Sequence, residues 1–187
     1  YVGAKILDTK ITGRENLSRS ILRVLQDVDP DLVHFHIRKF ENTSIFRYFL
    51  GLFGMLDGLT SYRISEICRL IDRKEIDCVF IDGSNYGFLV RAIKKRNPSC
   101  EVITFFHNCE TKFFLDSALL RKTLRAFFVL LANFFAERLT CKFSDKLVCL
   151  TKEDSTHLMR YHRRNAEYIL PMFLNDELSA DSFELVT

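Results

Sequence analysis

Short apolar runs at residues 32–37, 78–81, 102–106 and 147–150 alternate along the chain with longer segments whose apolar residues recur at helical spacing. Each run is rich in β-branched and aromatic residues and ends in polar or small ones, the pattern of a strand covered on both faces. The run Cys78-Val79-Phe80-Ile81 ends in Asp82-Gly83-Ser84-Asn85, and Val102 to Phe106 ends in His107-Asn108. No hairpin dipeptide joins two neighbouring runs, because Asp82-Gly83 leads into a helical segment. Strand and helix in alternation predict an α/β fold, a parallel β-sheet with helices on both faces.

The helical segments are residues 14–27, with Leu17, Ile21, Leu22, Val24 and Leu25 on one face, then 62–74, 88–96, a long stretch over 116–143 broken at most once, and 153–162. Residues 168–170 read as a final short strand, and Tyr1-Val2 as the end of a strand that begins upstream. Residues 38–59 stay ambiguous: Phe40, Ile45, Phe46, Phe49 and Leu50 suit a helix that Gly51, Gly54 and Gly58 weaken.

With 187 residues, 48% of them hydrophobic and 18 of them Phe, the chain has material for one well-filled core. We expect a single domain over residues 1–175. Residues 176–187, which hold Asp176, Glu177, Asp181 and Glu184 with no Lys or Arg, read as an acidic tail or the start of an interdomain linker. Six cysteines without a C-x-x-C pair form no metal framework, and with no cleavable leader in view they read as buried thiols in a reducing cytosol. The longest apolar stretch, residues 126–136, is interrupted by Asn133 and falls short of the roughly 20 residues that cross a bilayer.

In a parallel sheet, ligands bind beyond the carboxyl ends of the strands. That rule selects the loop up to Gly13, His36, residues 82–85 with Ser84 and Asn85, His107 with Asn108 and Glu110, and Thr151. Gly13 and Arg14 open a helix that could offer backbone N–H groups to phosphate, although neither G-x-x-x-x-G-K-[ST] nor G-x-G-x-x-G is present. His107, Asn108 and Glu110 place three hydrogen-bonding groups at one strand end; on residue type alone, a loop histidine with a satisfied ring is the commoner outcome. His34 and His36 share a strand face but lack a third ligand. Serine hydrolysis lacks its G-x-S-x-G elbow. Arg160, Arg163 and Arg164 beside Tyr161 and His162 read as a solvated face, and with a net charge of only +3 no nucleic-acid partner is expected.

The 116–143 stretch is apolar nearly all round. Leu120, Leu124, Phe127, Phe128, Leu131, Phe135 and Leu139 form one stripe, with Val129, Leu130 and Phe134 off it. Two readings stay open. The helix is sandwiched inside the domain, or its Phe and Leu side chains dip into lipid while Arg121, Lys122 and Arg125 meet anionic headgroups. Residues 38–55, with Arg38, Lys39, Phe46, Arg47, Phe49 and Phe53, would extend such a surface.

Taken in order, D-C-V-F-I-D-G-S-N-Y-G from Asp77, T-F-F-H-N-C-E from Thr104, S-D-K-L-V-C-L-T-K-E-D from Ser144 and Y-I-L-P from Tyr168 resemble the N-terminal half of family 4 glycosyltransferases with the GT-B fold. Residues 77–171 carry the resemblance most strongly. It implies a Rossmann-like three-layer sandwich that holds the acceptor, with a nucleotide-sugar donor bound mainly by a second domain and transfer with retention of configuration. It also implies no obligatory metal or cofactor. By the same resemblance His107 is the catalytic residue facing the donor sugar, Gly13 and Arg14 lie near the donor diphosphate, and Ser84, Asn85, Asn108, Glu110 and Thr151 lie on the acceptor side. The expected enzyme is a hexosyltransferase of cell-surface polysaccharide synthesis with a glycan or lipid-linked glycan acceptor, cytoplasmic and peripheral on the inner face of the cell membrane. Without the donor-binding domain these residues should not catalyse transfer. The competing expectation is a non-catalytic α/β binding or scaffold module. A nicotinamide-dependent sugar-nucleotide enzyme is disfavoured by the missing glycine fingerprint.

Overall fold

Each predicted strand pairs with a neighbour running the same way. In the computed structural model, which describes residues 1–4, 13–38, 50–53 and 56–171, the elements are β1 (Val2–Ala4), α1 (Gly13–Val28), β2 (Phe35–Ile37), α2 (Ser61–Arg73) and β3 (Cys78–Asp82). There follow a 3-10 turn (Ser84–Tyr86), α3 (Gly87–Arg96), β4 (Glu101–Phe106), α4 (Glu110–Arg121), α5 (Leu124–Phe143), β5 (Lys146–Cys149), α6 (Lys152–His162) and β6 (Tyr168–Ile169). The sheet is six-stranded and all-parallel in the order β2-β1-β3-β4-β5-β6. The fold is α/β, a Rossmann-like three-layer sandwich. Most of the ambiguous 38–59 segment lies outside the described residues, as does the 176–187 tail.

Alternation along the strands divides the core in two. Val79 and Ile81 of β3 and Val102 of β4 pack with Ile67, Cys68 and Ile71 of α2 and Leu89, Val90 and Ile93 of α3. On the opposite face Phe80, Ile103, Phe105 and Val148 meet Leu17 and Ile21 of α1. Both faces are apolar because both are covered, so the strands read as continuous apolar runs rather than alternating ones.

One expectation is corrected. The strand predicted over 32–37 is shorter: it pairs with β1 from Phe35 to Ile37, in register with Val2, Gly3 and Ala4, and residues 32–34 precede it outside the ladder. The long stretch over 116–143, read as broken at most once, is two helices. Lys122 ends α4 in the left-handed region at φ 49°, and the Thr123 hydroxyl caps α5 by accepting from the Ala126 N–H.

Which face α5 buries differs from the apolar stripe. Ala132, Asn133, Ala136, Glu137, Thr140 and Cys141 are the buried residues, while Leu124, Phe127 and Phe135 are exposed. The helix therefore is not enclosed all round. Its small-residue face lies against α3, and Gly87 is the reason they can meet: a Cβ there would sit 1.9 Å from the Ala136 carbonyl oxygen. Of the six cysteines, five are buried as read and Cys78, at the open start of β3, is exposed.

Candidate functional site

The chain reverses its direction of travel across the sheet between β1 and β3, since β2 lies on one side of β1 and all later strands on the other. Such a switch point opens a crevice at the carboxyl ends of the strands. Asp82, the last residue of β3, is 2% exposed there. Its Oδ1 lies 2.6 Å from His107 Nε2, and its Oδ2 accepts from the Tyr1 hydroxyl at 2.5 Å. The Ser18 hydroxyl of α1 bonds the same carboxylate.

Burial alone would raise the Asp82 pKa, but hydrogen bonds from His107, Ser18 and Tyr1 and the attraction of the imidazole outweigh it and hold it below the ordinary carboxylate range. The same setting pushes the Tyr1 hydroxyl far up, first through burial and then through the Asp82 charge. An ionised Asp82 can only accept, so Nε2 of His107 carries the proton and Nδ1 is left as the other ring nitrogen. Nδ1 is buried with no hydrogen-bond partner. A row of rings fixes the imidazole from behind: Tyr1 stacks on Phe80, Phe80 on Phe105, and Phe105 meets His107 edge-on at 5.1 Å. Gly3 makes room for the row, because a Cβ there would lie 2.6 Å from the Tyr1 hydroxyl oxygen.

Beside this cluster lies a groove of about 560 Å³ between α4 and α5. Its strand end is polar, lined by Asp57, Asn85, Asn108 and Glu110; its middle is apolar, with Phe113, Phe114 and Val129; its far end is basic, with Arg121 and Arg125. The Asn85 amide nitrogen donates to Asp57. The side-chain carbonyl oxygens of Asn85 and Asn108 are buried without a partner among the described residues, so each has acceptor capacity to spare. A second cavity of about 550 Å³ lies at the opposite, amino ends of the strands, around Asp29, Lys74 and Cys78. Parallel sheets do not place their ligands there.

The other residues singled out from sequence are distributed as follows. His107 is at the end of β4 but stands behind the groove rather than in its wall, with its side chain 10% exposed. Ser84 is buried in the 3-10 turn, and its carbonyl accepts from the Thr140 hydroxyl at 2.6 Å. Thr151 follows β5, and its hydroxyl accepts from the Asp154 N–H and donates to the Asp154 carboxylate, a helix cap for α6. Gly13 is exposed at the start of α1, with Arg14 next to it in that helix. Arg121, Lys122, Arg125 and Phe127 are exposed, whereas Phe128 is half-buried. Arg164 is not a solvated cation: it donates to the carbonyls of Cys141, Ser144 and Asp145.

Sequence reasoning passed over the partners that hold the site. Asp82 was visible as the polar end of a buried strand, whereas Tyr1 and Ser18 carry no local signal. Nor did anything local reveal the fully buried Glu137, which accepts from the N–H groups of Glu110 and Thr111 at 2.9 Å each and lies 3.0 Å from His162 Nε2. That carboxylate on α5 caps α4 from outside and explains why the helix starts at Glu110, six residues before the apolar period begins. Among the described residues no group of three or more His, Cys, Asp or Glu converges as metal ligands.

No protein-family model matches this chain, and no curated protein is significantly similar to it in sequence.

Proposed function

We propose that this chain is the acceptor-side half of a retaining glycosyltransferase that moves a sugar from a nucleotide-sugar donor onto a glycan or lipid-linked glycan. The observation that carries the reading is the histidine at the carboxyl end of β4, locked by a buried carboxylate at the switch point, next to a groove whose amide oxygens lack partners. In this reading Asp82 orients the imidazole through Nε2, and Nδ1 is the ring nitrogen left to hydrogen-bond a hydroxyl of the donor sugar. Asn85 and Asn108 accept from hydroxyls of the acceptor. In the transfer itself the acceptor oxygen bonds to the anomeric carbon, the bond from that carbon to the diphosphate breaks, and the acceptor proton leaves with the diphosphate. A donor-binding domain is required as well, and the protein works in the cytoplasm. Among the described residues no helix is long and apolar enough to cross a membrane, so contact with a bilayer would be peripheral.

The test is transfer by the full-length gene product against a panel of nucleotide sugars. His107→Ala removes a donor from a buried carboxylate and so costs stability as well as any activity. His107→Gln is the cleaner variant. Turnover should fall by about a hundredfold, the scale of one lost transition-state hydrogen bond, with the melting temperature held within a few degrees. Full turnover in His107→Gln would remove the histidine from the mechanism and favour the non-catalytic module.

A further inference from the structure

The turn that leads into α2 aims a carboxylate at the strand end of the groove. Asp57 lies there in the left-handed region at φ 45°, and Gly58 follows at φ 87°. Arg63 clamps this turn from behind: its Nη1 donates to the Arg38 carbonyl at 2.7 Å and to the Gly58 carbonyl at 2.8 Å. A Cβ on Gly58 would lie 1.8 Å from that Arg38 oxygen, so only glycine lets the turn close. Asp57 is half-buried, and among the described residues the Asn85 amide is its partner and no cation pairs with it. Because a carboxylate only accepts, Asn85 must turn its nitrogen to Asp57, which leaves Oδ1 as the unpartnered atom. Asn85 is 5% exposed, so that oxygen is not satisfied by bulk solvent.

This end of the groove is therefore a wall of acceptors: the Asp57 carboxylate and the spare amide oxygens of Asn85 and Asn108. A half-buried carboxylate without a counter-charge is costly to hold ionised. Its complement is a group made only of donors that also carries a positive charge, which describes a primary ammonium. A hydroxyl satisfies one oxygen and leaves the charge unmatched. A divalent cation needs six or more oxygen ligands, several of them charged, and no such cluster forms among the described residues. Phe113 and Phe114, next along the groove, offer aromatic faces to a cation and to the C–H face of a sugar ring. We propose that the strand end of the groove is an ammonium site and that its ligand is an amino sugar with the amine unsubstituted. Asp57 takes the charge and sets the specificity, while Asn85 and Asn108 accept from the ammonium and from the hydroxyl beside it. The proposal rests on the glycosyl-transfer reading for the amino sugar being the acceptor, whereas the ammonium site stands without it.

The experiment is calorimetric titration of the full-length protein with chitobiose bearing free amines, its di-N-acetylated form and cellobiose, disaccharides that differ only at the carbon next to the anomeric one. The free-amine form should bind about tenfold more tightly than the other two, the margin between a charge-assisted and a neutral hydrogen bond. Added salt should narrow that margin. Asp57→Asn removes the charge alone, because asparagine still accepts from the Asn85 amide and is at ease at φ 45°. The variant should keep its melting temperature and lose the preference for the amine. No binding of any of the three, equal binding of all three, or a preference that survives Asp57→Asn overturns the proposal. A melting temperature raised by calcium or magnesium in the wild type and not in Asp57→Asn assigns the carboxylate to a metal ion and also overturns it. Amine-selective binding without transfer from any nucleotide sugar would defeat the glycosyl-transfer reading alone. Transfer to acceptors that lack an amine, undiminished in Asp57→Asn, would defeat this inference alone.

Discussion

Asp82 holds its charge in a nearly closed site because every donor around it comes from a different element: Tyr1 from the edge of β1, Ser18 from α1 and His107 from β4. A carboxyl whose folded pKa lies below its unfolded one contributes stability above the unfolded value and loses it as pH falls through the folded one. For Asp82 that loss falls below about pH 4, under the ordinary carboxylate range. Asp82→Asn should therefore lower stability at neutral pH by about 3 kcal/mol, the scale of a broken buried pair, and flatten the acid limb of the unfolding curve followed by circular dichroism. An acid limb as steep as that of the wild type would show that other carboxylates dominate. The strand-end rule led to His107 from sequence, but the partner that fixes its tautomer was legible only as a polar full stop to an apolar run. Tyr1 was unreadable as a partner, since its reach to Asp82 exists only because Gly3 has no side chain beneath its ring.

At the scale of elements, the pairing of α3 with α5 shows where hydrophobic periodicity misleads. The most apolar stripe of residues 116–143 is not the buried one, because close approach of two helices is governed by side-chain volume, and Ala132, Ala136 and Thr140 let the backbones come nearer than Leu or Phe would. Gly87→Ala should push α3 away from α5 and cost about 1–3 kcal/mol, as overpacking does, measurable as a lower urea midpoint; an unchanged midpoint would mean that the contact is slack. The α4 start is a second such case. Glu137→Ala strips two backbone N–H groups and an imidazole of their acceptor, so a loss of about 3–5 kcal/mol is expected, with faster amide hydrogen exchange at Glu110 and Thr111. Protection unchanged at those two amides would show that the carboxylate is not what starts the helix.

Over the whole molecule, the switch between β1 and β3 sets the carboxyl edge of the sheet apart, and the groove along α4 joins the polar residues beyond that edge to Arg121 and Arg125. The sequence by itself determined the strands, their parallel sense and which polar residues end them at the carboxyl edge, because apolar runs and helical periods are local properties and parallel connection follows from their alternation. Tertiary structure alone decided which groups meet at that edge, that Asn85 and Asn108 share a groove with Arg121 and Arg125, and which face of α5 is left to solvent. Those outcomes depend on contacts between residues far apart in the chain and on the volumes that must fit between packed helices, and neither quantity is written in any local stretch of sequence.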